Sequence, residues 1–251
     1  MSDPGQARRA GHFQSGADDY AAARPVYPPE LSAALAAVAP GRGLAVDVGC
    51  GSGQLTLALA RHFEAVAGVD VSPAQLAAAP RHPRIRWLQG GAEALPVADG
   101  AADLLVVAQA AHWFDLPAFY AEARRVLRAQ GVIALVTYGP AQVSGPLSAR
   151  FARFYDAEIA PFWPAERAHV ENAYRDLPFP FPRIPMLPLA ISAEWPLSRL
   201  LGYVRSWSAA RAPGADAVVA AFHEDALAML APDAPVAINF PLTVIAGRIA
   251  A

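Results

Sequence analysis

The chain of 251 residues contains no lysine: all 20 of its basic residues are arginine. That absence excludes Schiff-base chemistry, the phosphate-binding lysine of a P-loop and a lysine general base. Cysteine is nearly missing as well. With Cys50 alone, neither an intramolecular disulfide nor a cysteine-built metal cluster can form. The six histidines show no H-E-x-x-H or comparable spacing, so no metal site is expected. There is no G-x-S-x-G nucleophile elbow. No run of 18 apolar residues occurs, and the opening MSDPGQARRAGHFQSG lacks the apolar centre of a signal peptide, so a cytoplasmic location is expected. A net charge of −2 with no basic stripe argues against nucleic acid or an anionic membrane as partner.

What the chain does have is a hydrophobic fraction of 55% against 17% charged residues, enough for a sizeable core. Its first half alternates regularly. GLAVDVG (43–49), AVAGVD (65–70), IRWLQG (85–90), ADLLVVAQ (102–109) and VIALVTY (132–138) read as buried parallel strands. Between them, QLTLALARHF (54–63) has helical spacing, and SPAQLAAA (72–79) opens a helix with Ser72 as N-cap and Pro73 at its first position. LPAFYAEARRVLRAQG (116–131) reads as an amphipathic helix stopped by Gly131. Beyond residue 138 the rhythm breaks. Residues 145–176 read as helical and aromatic, and the prolines of DLPFPFPRIPMLPL forbid a regular helix. LAISAEW (189–195) reads as a strand, 196–209 and 214–230 as helices, and AINFPLTVIAGRIA as a closing strand. The expected fold is α/β, a Rossmann-like, doubly wound, mostly parallel sheet of about seven strands with a helical, aromatic lid insertion. One domain spans 1–251, with an N-terminal segment (1–42), a core (43–140), the lid (141–182) and a remainder (183–251) that completes the sheet.

Gly49, Gly51 and Gly53 follow the first strand directly. A dinucleotide would call for G-x-G-x-x-G/A, but Gln54 stands where the third small residue belongs, and a P-loop would end in G-K-[ST]. What remains is Asp47-x-Gly49-x-Gly51-x-Gly53. This stretch resembles the first motif of the class I S-adenosylmethionine-dependent methyltransferases. The resemblance implies that the backbone at Gly49, Cys50, Gly51, Gly53 and Gln54 passes against the methionine part of that cofactor, with exposed N–H groups holding its polar atoms. A plain strand-to-helix turn is the alternative. Asp70, at the end of the second strand, is then placed to accept hydrogen bonds from both ribose hydroxyls, with Val71 beside it; NAD enzymes use the same device.

QGGAEALPVADGAADLLVVAQAAHWFD (89–115) is similar to the family's passage from third to fourth strand. The similarity implies Ala92 and Glu93 beside the adenine, Gln109 and Ala110 bordering the sulfonium, and a structural role for Asp103. FQSGADDYAAARPVYP (13–28), HWFD (112–115) and YVRSWSA (203–209) resemble the methyltransferase type 11 group, in its subgroup of trans-aconitate methyltransferase-like proteins. In that subgroup the leading element covers the cofactor. This implies Tyr20 near the methyl-bearing sulfur and Arg24 on the methionine carboxylate, or Arg24 in a surface salt bridge.

His112 stands past the fourth strand, as a base toward a hydroxyl or amine or as an orienting or packing group. Trp113 is a pocket wall or a core residue. Tyr138, Tyr203 and Trp207 complete the expected substrate pocket, with Phe151, Phe154, Phe162 and Trp163 in the lid. Arg205 binds a substrate carboxylate or lies on a solvated face. The resulting expectation is methyl transfer by in-line displacement to a small, partly apolar molecule, with O-methylation favoured. The alternatives are a catalytically silent protein binding S-adenosylmethionine or its product S-adenosylhomocysteine, and, less favoured, an NAD-dependent oxidoreductase. Oligomeric state is left open between monomer and homodimer.

Overall fold

The computed structural model describes residues 25–249. Tyr20 and Arg24 lie outside the described residues. Helix α1 (Pro29–Val38) precedes a sheet in which β1 (Leu44–Val48), β2 (Ala65–Asp70), β3 (Ile85–Gln89), β4 (Ala102–Ala108) and β5 (Leu127–Tyr138) are mutually parallel, in the order β3-β2-β1-β4-β5. The crossovers carry α2 (Gln54–Leu59), α3 (Pro73–Ala78) and α4 (Leu116–Val126). Side-chain caps start two of these helices, the one at Ser72 as the sequence predicts. Ser72 Oγ accepts from Gln75 N–H at 3.4 Å, and Asp115 Oδ1 accepts from Ala118 N–H at 3.2 Å.

Side chains alternate between two apolar layers. Ala45, Leu104 and Val106 join a core beneath α1 and α2, while Val46, Leu105 and Val107 face α4 on the other side. Strand order reverses between β1 and β4, which opens the crevice where ligands bind in open α/β sheets.

Two helices end earlier than predicted. Instead of running to Gly131, α4 stops at Val126, because Leu127 turns extended and pairs with Ala102. The four residues that follow bulge out, with Gln130 left-handed at φ 63°, before Val132 resumes the ladder opposite Leu104. The first crossover helix likewise covers 54–59 and not 54–63.

The second half completes the sheet in antiparallel fashion. β6 is Gln142–Val143, β7 Arg183–Ile184, β8 Leu189–Pro196 and β9 Pro235–Arg248. β9 is long enough to serve two neighbours on each edge: β5 and β6 run along one, β7 and β8 along the other. The nine described strands are therefore about seven in effect, two of them broken, at Gly139–Ala141 and in the proline-rich 185–188.

Between β6 and β7 lie α5 (Ser148–Arg153), a π-helical turn (Phe154–Glu158) and α6 (Arg167–Glu171); α7 (Leu197–Arg205) and α8 (Asp216–Met229) follow β8. Residues 141–159 of the lid pack into the first apolar layer, and Val170, Tyr174, Leu177 and Phe181 into the second. The insertion thus wraps the end of the sheet and seals both faces. No helix among the described residues is long and apolar enough to cross a membrane.

Candidate active site

The loop after β1 is held by left-handed glycines, with φ 69° at Gly49, 55° at Gly51 and 90° at Gly53. Each meets a different neighbour. A Cβ at Gly49 would lie 2.7 Å from Ala110 Cβ, and one at Gly53 would enter the Trp87 indole. The same ring lies 2.6 Å from a Cβ built on Gly68 in β2. Trp87, anchored by its indole N–H donating to Pro80 O at 3.1 Å, therefore sets the third glycine from behind.

The loop's own donors are engaged inside the protein. Gly49 and Cys50 N–H both donate to Val69 O (2.8 and 3.1 Å), Gly51 N–H to Asp70 Oδ2 at 2.8 Å, and Gly53 N–H to Cys50 O at 3.0 Å. Exposed N–H groups were expected in this turn; these four are engaged in fixing the loop instead. Asp70 has a second bond, accepting from Ser72 N–H at 2.8 Å through Oδ1. A carboxylate offers about four lone-pair sites, so about two remain open. Val71, 41% exposed, presents an apolar surface next to it. Cys50 donates weakly to Gly51 O at 3.5 Å, and burial pushes its thiol pKa far up, so it is no nucleophile at neutral pH.

Asp47 is buried at the end of β1. Its Oδ2 accepts from the Thr56 hydroxyl at 2.6 Å, while Oδ1 is fully enclosed without a hydrogen-bond partner. Desolvation is the main cause that pushes its pKa up to about 7, with the nearby Asp70 charge adding to it. An orphaned buried carboxylate oxygen beside a glycine cradle fits a cationic, ammonium-bearing ligand.

After β3, Ala92 is buried, and Glu93 Oε1 accepts from Asp115 N–H at 3.1 Å, tying this loop to the start of α4. Asp103, expected to be structural, accepts from Gly43 and Leu44 N–H (2.8 and 3.1 Å) and pairs with Arg128 at 2.9 Å.

Past β4, Gln109 is left-handed at φ 58°, and its amide turns toward β5: Nε2 donates to Tyr138 O at 3.2 Å, and Oε1 accepts from Thr137 at 3.2 Å. A single 3-10 turn then carries His112 and Trp113, their rings 4.9 Å apart. His112 Nδ1 lies 2.7 Å from the Tyr174 hydroxyl, which reaches over from the lid. Burial, aided by the charges of Arg167 and His169, lowers the His112 pKa to about 4, so the ring is neutral at physiological pH. Arg167 donates to the Tyr155 hydroxyl at 2.8 Å, lies 3.5 Å from Glu171 and stacks over Trp163 at 4.6 Å. Tyr155, Trp163, Arg167 and Glu171 line a cavity of about 480 Å³ together with Pro140 and Ala168.

Tyr203 and Trp207 do not line that cavity. They are 4% and 3% exposed, and Trp207 packs behind Tyr155 and Trp163 at ring distances of 5.7 and 5.3 Å. Tyr138 is likewise buried, between Tyr27 and Phe240. Arg205 bonds His223 Nδ1 at 2.8 Å and so is engaged within the fold. Sequence reasoning missed Trp87, Thr137, Tyr174 and Arg167. Gly68, a strand-interior glycine, was the one available sign of the close approach by Trp87.

Comparison with known proteins agrees with this geometry. A family described as a methyltransferase domain matches residues 46–135. A Dictyostelium discoideum protein named as a methyltransferase is 32% identical over 200 residues, which cover 78% of this chain and 76% of that protein. The structure of a protein named as a type II methyltransferase from Anaeromyxobacter dehalogenans is 44% identical, covers 90% of this chain and 98% of its own, and superposes with a TM-score of 0.84. A geranyl diphosphate C-methyltransferase from Streptomyces coelicolor, whose crystals hold S-adenosylhomocysteine, shares the fold alone, at 15% identity and a TM-score of 0.52. The chain belongs to the class I S-adenosylmethionine-dependent methyltransferases. S-adenosylmethionine is accordingly its cofactor.

Proposed function

We propose that the protein transfers a methyl group to an oxygen of a small, partly apolar molecule that enters between the His112 turn and the lid. The carrying observation is His112 itself: a neutral imidazole past the carboxyl end of β4, bonded to the lid through Tyr174 and within the field of Arg167, which lines a cavity of the lid. When bound, S-adenosylmethionine would supply a methyl group activated on a sulfonium, with a neutral thioether as the leaving group.

The chain's own residues hold the two partners in line. Asp47 offers its orphaned oxygen to the cofactor's ammonium, Asp70 its free lone pairs to the ribose, and Val71 and Ala92 apolar walls to the adenine. His112 takes the hydroxyl proton, and the lid's aromatic layer excludes water. Alignment of this kind is worth effective molarities of ~10⁵ M or more, so no further chemical group is needed.

Calorimetric titration with S-adenosylhomocysteine tests the cofactor half of this reading. Micromolar binding is expected, with thermal stabilisation of about 2.7 kcal/mol at a hundredfold excess over Kd. No binding at millimolar ligand overturns it. Labelled methyl transfer to a panel of phenols, carboxylic acids and heterocycles tests the substrate half. Binding without transfer to any of them favours the silent binding protein.

A further inference from the structure

The loop that follows β3 has little structure of its own. Its internal backbone contacts are a bridge between Gly91 and Ala94 and a bond from Val97 N–H to Leu95 O at 2.8 Å. Helix α4 supplies the rest. At the start of the helix, Asp115 N–H donates to Glu93 Oε1 at 3.1 Å. Near its end, Arg125 uses all five guanidinium hydrogens. Nε donates to Glu122 Oε1 at 2.8 Å, Nη1 to Val97 O and Asp99 Oδ1 at 2.8 and 2.6 Å, and Nη2 to Leu95 O and Glu122 Oε2 at 2.9 and 2.7 Å. Glu122 holds the loop as well, since Oε2 also accepts from Leu95 N–H at 2.8 Å. Gly100 N–H closes the far end on Arg125 O at 2.8 Å. Residues 93–100 therefore lie as a strap along α4, with their backbone groups satisfied by the helix.

The inner end of the strap borders Asp70. Gly90 N–H donates to Asp70 O at 3.1 Å, and the chain folds back so closely that a Cβ at Gly90 would lie 2.8 Å from Pro96 Cδ. Ala92 is buried in the turn between them. A base is bonded directly to its ribose, so a ribose held by Asp70 brings the base within reach of this turn.

We propose that Arg125 and Glu122 are positioning residues for the adenine of the cofactor: their pair fixes the backbone of 93–100, and with it the turn at Ala92 that walls the base. The inference rests on the reading that sets Ala92 beside the adenine. The guanidinium suits this task because its planar fork reaches Leu95 O, Val97 O and Asp99 at once while the helix holds its stem. Lysine keeps the charge but has no fork. Both residues act through the loop backbone, so their loss falls on the base and spares the rest of the ligand.

The test is calorimetric titration of the full-length protein with S-adenosylhomocysteine and with S-ribosylhomocysteine, in which a hydroxyl replaces the base. The Arg125 side chain is 33% exposed on the face of α4, so the fold is expected to survive its replacement. Arg125→Lys is expected to raise the first Kd by about tenfold and to leave the second within about twofold. Glu122→Gln is expected to act in the same direction. Asp99→Ala, which removes a partner 79% exposed, is expected to leave both values within about twofold. Hydrogen exchange of the wild type gives an independent reading: S-adenosylhomocysteine is expected to slow the amides of 91–97 more than those of α8.

A folded Arg125→Lys variant with both Kd values unchanged, or raised by the same factor, overturns the proposal even if it melts earlier. Wild-type exchange across 91–97 that is indifferent to the ligand overturns it as well, and decides the matter if neither variant folds. Absence of wild-type binding at millimolar S-adenosylhomocysteine overturns the cofactor placement itself. Wild-type binding without a base-selective effect of Arg125 overturns this inference alone.

Discussion

Gly49, Gly51 and Gly53 shape the cofactor loop through backbone angles open to few other residues, whereas the lid keeps its shape by ring against ring. The lid's Phe154 stacks on Phe222 of α8 at 4.2 Å, Phe151 and Trp207 close around them, and Arg150 covers Phe222 while pairing with Glu158 and Asp225. The loop's few contacts are each specific, because its N–H groups are bound by two carbonyls and one carboxylate. The lid's contacts are many and of one kind.

The sharpest way to break the comparison is to damage one region and read the other. Phe222→Ala removes a fully buried ring and is expected to lower stability by about 3–5 kcal/mol in urea denaturation, with the Kd for S-adenosylhomocysteine unchanged where the protein remains folded. Loss of that affinity would mean that lid and cradle are not separable.

Asp47 gives the cradle its own pH signature. Burial raises its folded pKa to about 7 from 3.8, so the folded state holds the proton more tightly than the unfolded chain. Its contribution to stability is complete below about pH 4 and is lost as pH rises to 7, by up to about 4 kcal/mol at ~1.4 kcal/mol per pKa unit. Asp47→Asn is expected to abolish that slope in the difference between the two stability–pH curves, and to weaken cofactor binding.

Gly53→Ala places a methyl group in the Trp87 ring at a left-handed position, and is expected to cost about 2–3 kcal/mol. Trp87→Leu in the same chain should recover part of that loss by thermal melting, since it vacates the space. Asp70→Ala should have the smallest effect on the fold, yet weaken S-adenosylhomocysteine by about 10- to 100-fold, the size of one or two charge-assisted bonds. An unchanged Kd would confine Asp70 to its bonds with Gly51 and Ser72.

Legibility in the sequence follows the same divide. The glycine spacing, Asp70 at the strand end and the Ser72 cap were all readable, since each is dictated within a few residues by dihedral angle or strand period. The role of the loop N–H groups was not, because it depends on Val69 O coming alongside from β2. Tyr203 and Trp207, expected in the substrate pocket, are buried at 4% and 3% exposure: spacing marks a buried helix face without saying which layer lies in front of it.

By itself the sequence determined a doubly wound sheet, a glycine loop after its first strand and an aromatic second half, through local conformational limits and hydrophobic period, while the resemblance to a known family supplied the cofactor. Only the tertiary structure decided that Trp87 shapes Gly53 and Gly68 from behind and that Arg205 serves His223. It also decided that Tyr174, 62 positions along the chain, meets His112. Such contacts depend on where separate elements settle against one another, and packing leaves no period in the residues that it brings together.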